Sequence, residues 1–144
     1  MDQHKKSINR VAIILAVLMF LPTTAFAVDA RASSRINSAW ADLHVTSNGD
    51  LSVSFIVSAT GIMDTIGSSK IEIQRYNGSR WVTEETLTVQ DYPEIQTSNA
   101  SRYSATITYT PNYTKVTYQA VVTAYAEDSF GSSTSQATTV GVRT

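Results

Sequence analysis

Asp42 and His44 stand two residues apart, a pair whose types could share a proton or a metal ion. A zinc site needs three or four ligands, and the only other histidine is His4, close to the N-terminus. Asp42 and His44 are therefore expected to be ordinary residues on an outer strand face. Serine and threonine are plentiful, but there is no Gly-x-Ser-x-Gly elbow, and any Ser-His-Asp arrangement would have to use His44. Hydrolysis of a glycosidic bond needs two carboxylates flanking a cleft. Asp91, Glu94, Glu127 and Asp128 fall in predicted loops instead. Asp50, Asp64 and Asp128 sit in turns, where oxygen ligands for calcium can gather. No spaced Asp/Asn loop accompanies them, and turn chemistry explains them. The chain has no cysteine, which removes thiolate metal sites, redox motifs and cysteine nucleophiles. No catalytic constellation is assembled, and the expectation is a non-enzyme with no cofactor and no metal.

The residues that stand out are tyrosines. Tyr76 and Tyr125 are predicted to point outward from their strands, and Val121 and Thr123 share the outward parity of Tyr125. Exposed tyrosine offers large contact area at low entropic cost and is enriched in recognition surfaces. This outer face is the candidate binding face.

The elements that position it are read from alternation. Ala39, Ala41, Leu43 and Val45 share one parity, and Trp40, Asp42 and His44 the other. Asn48-Gly49-Asp50 marks a hairpin turn, because Asn and Gly accept positive φ cheaply. Leu51, Val53, Phe55, Val57 and Ala59 then alternate with Ser52, Ser54, Ile56 and Ser58, the pattern of a half-buried strand. Thr60 to Gly67 breaks this pattern, and the spacing of Met63 and Ile66 predicts one helical turn plugging the core. Ile71 and Ile73 point inward on the next strand, which ends at Tyr76, and Asn77-Gly78-Ser79 is a second hairpin signal. Trp81, Leu87 and Val89 share the inward parity of the returning strand. Glu85 shares it too, so that strand needs a bulge or an exposed edge. A crossover containing Pro93 leads to Tyr103, Ala105, Ile107 and Tyr109, and a turn at Pro111 leads to a strand with Tyr118, Ala120, Val122 and Ala124 inward. Ser135 to Val142 closes the domain. Seven strands with short turns predict an all-β, two-sheet antiparallel sandwich, with an up-and-down barrel as the lesser alternative.

Upstream, Lys5, Lys6 and Arg10 precede an apolar run of 11 residues, Val11 to Leu21, followed by Pro22 and Ala25-Phe26-Ala27. This is the order of a cleavable signal peptide over residues 1–27, and the run is short of the roughly 20 residues a spanning helix needs. Residues 28–37 then read as a flexible leader and 38–144 as the sandwich domain, secreted and without a membrane span. Cleavage removes three of 11 basic and one of 12 acidic residues, leaving 8 against 11, a charge of −3. No Lys/Arg cluster exists to neutralise phosphates, so nucleic acid is not an expected partner.

The stretch from Tyr118 to Ala126, running into Phe130-Gly131 and a Ser/Thr-rich close, resembles strands F and G of fibronectin type III domains. By length and layout the chain is also similar to small secreted immunoglobulin-like proteins of Gram-positive bacteria, a group without assigned activity. The resemblance implies strands A, B, C, C′, E, F and G, with C and F adjacent, and a corner tyrosine at Tyr118 whose hydroxyl bonds nearby backbone. The buried strand-C tryptophan of related sandwiches is missing here, and Trp81, one strand later, is expected to cover the same space. Two roles fit. The first is non-catalytic binding of a protein or glycan at the cell surface or outside the cell. The alternative is a structural, self-associating surface protein whose copies join by edge strands.

Overall fold

Alternating apolar residues must bury one face of each strand, and here they do so between two antiparallel sheets. The structure, a computed structural model, describes residues 34–144. The expected signal peptide and most of the expected leader lie outside the described residues. The strands are β1 (Ile36–Val45), β2 (Leu51–Met63), β3 (Thr65–Tyr76), β4 (Trp81–Thr88), β5 (Gln96–Thr97), β6 (Ala100–Tyr109), β7 (Thr117–Asp128), β8 (Gly131–Thr138) and β9 (Val142–Arg143). One sheet has the order β1-β2-β6. The other has the order β4-β3-β7-β8, with β5 added to β3 and β9 to β7.

The core lies where the parity argument puts it. Val53, Phe55 and Val57 of β2 meet Ile71 and Ile73 of β3, and Tyr118, Ala120, Val122 and Ala124 of β7, all of them buried. The hairpin turns form at their predicted residues. Gly49 and Gly78 have positive φ, and the Asn77 Oδ1 accepts from the backbone N–H groups of Ser79 and Arg80, each at 3.0 Å.

Three expectations are corrected. Met63 and Ile66 are not on a helical turn. β2 continues to Met63 and β3 starts at Thr65, so the chain passes from one sheet to the other across Asp64 alone, and both apolar side chains are buried from strands. The crossover that follows β4 contains a single 3₁₀ turn, Pro93–Ile95, whose Ile95 is buried against β3. That approach requires Gly67, at φ +146°: a β-carbon there would overlap the Ile95 carbonyl oxygen and lie 2.8 Å from the Gln96 Cα. Next, β1 begins at Ile36, inside the expected leader. Arg35 is buried, its backbone N–H donates to Ser133 Oγ at 3.1 Å, and its Nε donates to Asp128 Oδ1 at 2.8 Å. The guanidinium, together with a backbone N–H from Phe130, holds the Asp128 carboxyl below its ordinary value.

The last correction concerns Trp81. Ile73 pairs with Glu85 and Gln74 with Thr83, which leaves Glu84 as the extra residue of a β-bulge. The bulge that Glu85 demanded is present, and it reverses the parity of everything before it. Trp81 consequently faces out, 37% exposed, and is not part of the core.

Candidate functional site

The bulge in β4 does two things at the same end of the sandwich: it turns Glu84 inward and Trp81 outward. The Glu84 side chain is 5% exposed and both its oxygens are occupied. Oε1 accepts from the Tyr109 hydroxyl at 3.0 Å and from the Asn112 backbone N–H at 2.9 Å. Oε2 accepts from the Tyr118 hydroxyl at 2.9 Å, with Arg75 Nε 3.7 Å away. The Tyr118 hydroxyl in turn accepts from the Tyr113 backbone N–H at 3.3 Å, five residues upstream, and Arg75 lies 4.6 Å above the Tyr113 ring. One carboxylate thus ties β4, β6, β7 and the β6–β7 loop together. Its lone pairs are spent on these donors, so its chemistry is positional.

Burial, and then the hydrogen bond to Glu84, push the Tyr118 hydroxyl up to about 12. The same two causes raise Tyr109. A hydroxyl that keeps its proton longer folded than unfolded stabilises the fold fully below the unfolded tyrosine value of about 10. That stability is lost as pH rises from 10 towards 12. Urea denaturation at pH 8 should show Tyr118→Phe costing about 1.5–3 kcal/mol, the range for a hydrogen bond to a charged group. Across pH 10 to 12 the variant should lose less stability than the parent. An equal loss in both would place the Tyr118 hydroxyl in contact with water.

On the outer face of the same end, Tyr76 pairs with Trp81, their ring centroids 5.4 Å apart and the planes inclined by 58°. Tyr76 is 41% exposed. Arg75 pairs with Tyr118, so the next residues, Tyr76 and Thr117, stand side by side, and Thr117 pairs with Arg143 of β9. Trp81, Tyr76, Thr117 and Arg143 therefore form one row across four strands. Gly141 closes against it: a β-carbon there would be 3.3 Å from Trp81 Cη2 and 3.1 Å from Thr117 Cγ2. Val140 beside it is exposed. The adjoining row holds Gln74 and Gln119, joined by a 2.7 Å hydrogen bond.

The four residues expected to form the binding face do not converge. Tyr76, Val121, Thr123 and Tyr125 all share the outward parity of adjacent strands β3 and β7. Tyr125, however, is eight residues along β7 from Thr117, about 26 Å at 3.3 Å per residue. Tyr125 pairs with Gly67 and Thr134, and its hydroxyl donates to Glu127 Oε2 at 2.8 Å. Val121 is half-buried between Glu72 and Thr138. Thr123 is buried, although it was expected at the surface, and its hydroxyl has no hydrogen-bond partner among the described residues. Only Tyr76 belongs to an aromatic cluster, and the partner that completes it, Trp81, was assigned to the core. The signal was in the sequence: a bulge at Glu84 or Glu85 must flip Trp81 outward.

On the opposite sheet, Trp40, Asp42 and His44 are exposed on β1, across from Ile56, Ser54 and Ser52. No protein-family model, curated protein or solved structure matches the chain.

Proposed function

We propose that the protein is a secreted, non-catalytic binding module that recognises a protein or glycan outside the cell through the Tyr76–Trp81 end of its six-stranded sheet. Secretion is supported by the order of charged, apolar and Ala-x-Ala segments in residues 1–27. The fibronectin type III-like or immunoglobulin-like reading is supported by topology. In such sandwiches A, B and E share one sheet and C, F and G the other, and β1, β2 and β6 divide from β3, β7 and β8 in the same way. The bond between the Tyr118 hydroxyl and the Tyr113 backbone fits the corner tyrosine of those domains.

The observation that carries the binding reading is the exposed Tyr76–Trp81 pair. Tryptophan and tyrosine are the residues that most often dominate binding energy. These two rings are held by strand backbone and by contact with each other and the Gly141 corner, so little side-chain freedom remains to be lost on binding. The test is a glycan and protein array probed with the parent chain and with Trp81→Ala, Tyr76→Ala and Tyr125→Ala. Loss of one ring should weaken binding about 30-fold, the equivalent of a 2 kcal/mol anchor. Tyr125→Ala, at the far end, should bind as the parent does. Binding that survives Trp81→Ala but not Tyr125→Ala would move the site to the other end of the face.

A further inference from the structure

We infer that the row Trp81–Tyr76–Thr117–Arg143 is a subsite for an acidic saccharide, its ring on the aromatic pair and its carboxylate on the guanidinium. The inference rests on the binding reading above and names its ligand.

The row combines two recognition chemistries at a defined spacing. The apolar face of a pyranose ring packs on an exposed aromatic ring, and Tyr76 and Trp81 present such rings at one end of the row. Arg143 shares the outward face because it pairs with Thr117, which stands beside Tyr76. It lies two strand spacings from Tyr76, about 9–10 Å between backbones, within reach of the acid group of a stacked sugar or of its neighbour in a chain. A guanidinium is suited to carboxylates through two parallel N–H bonds. In the next row, the Gln74–Gln119 amide pair offers further polar groups to sugar hydroxyls.

Charge selects the acidic ligand. Arg80 adjoins Trp81 in the hairpin and is exposed, as is Arg143. Neither has an ion pair among the described residues. Two of the acidic groups nearby are already committed. Glu84 is buried beneath its donors, and Glu72, further along the face, is paired with Lys70 at 3.3 Å. The aromatic pair is thus flanked by two cations, while the exposed Glu85 of β4 pairs with Ile73, whose parity is inward.

The probe is an oligomer of galacturonic acid, titrated calorimetrically into the protein, with the neutral galactose oligomer of the same length and an acidic polyglutamate peptide as comparisons. The galacturonate oligomer should bind at least about tenfold more tightly than the neutral one. Arg143→Ala should remove that preference, and Trp81→Ala should weaken both saccharides about tenfold or more. Equal binding of acidic and neutral oligomers, with Arg143→Ala unchanged, would overturn the acidic assignment while leaving the aromatic site standing. Polyglutamate binding as tightly as the saccharide would show that charge alone is read, and would also overturn it. No saccharide binding, with an array ligand still dependent on Trp81, would reject the sugar and keep the site. Array ligands indifferent to Trp81 would reject both.

Discussion

Replacing Glu84 with alanine is expected to cost about 3–5 kcal/mol, the range for breaking a buried charged pair by removing one partner. The substitution strands the Tyr109 and Tyr118 hydroxyls and the Asn112 backbone N–H, all of which now donate to one carboxylate. An unmatched buried donor costs about 1–3 kcal/mol; Asn112 is exposed and its N–H regains water, so the two part-buried hydroxyls carry most of the loss. Arg75 adds less, because its side chain is 29% exposed and regains water. Glu84→Gln should fall between parent and alanine, since an amide oxygen still accepts but without charge. Chemical denaturation at pH 7 decides the matter. A loss under about 1 kcal/mol for Glu84→Ala would mean that the carboxylate is solvated and that the bulge does not organise this end of the sandwich.

Phe55→Ala should cost a comparable 3–5 kcal/mol. Phe55 is 1% exposed and meets Tyr103 edge-on, with centroids 6.4 Å apart. Its cross-strand partners on both sides are alanines, Ala41 on β1 and Ala105 on β6. Small neighbours cannot swing in to refill the space, so the cavity should persist and the loss should sit in the upper part of the range. A near-neutral result in the same denaturation assay would contradict the inward assignment of the odd-numbered residues of β2.

These two substitutions also separate what the sequence revealed from what it concealed. Phe55 was legible because its strand alternates without interruption, and parity alone decides which face is buried. Tyr118 was legible for the same reason, and its hydroxyl does bond backbone nearby. Glu84 was not legible. Alternation at Glu85 announced an irregularity, but which residue a bulge turns inward depends on the register with β3 across the Asn77–Ser79 hairpin, which alternation alone does not fix. Trp81 was misplaced because parity was carried straight through that irregularity. Tyr76 and Tyr125 were correctly placed on one face. Their separation of about 26 Å follows from the β3–β7 register, which local pattern does not encode. Met63 and Ile66 show the reverse error: a spacing of three suggested a helical turn, when the chain instead switches sheets across one residue.

Recognition is proposed at one location, the end of the six-stranded sheet where the bulge of β4 exposes Trp81 above the Glu84 clamp. Two-dimensional amide NMR of the protein titrated with the galacturonate oligomer tests that location directly. The account predicts shift changes at Tyr76, Thr117, Gly141 and Arg143 and at the Trp81 indole N–H, with Gly67, Tyr125 and Thr134 unmoved. Changes centred on Tyr125 or on the Trp40 face of β1 would contradict it.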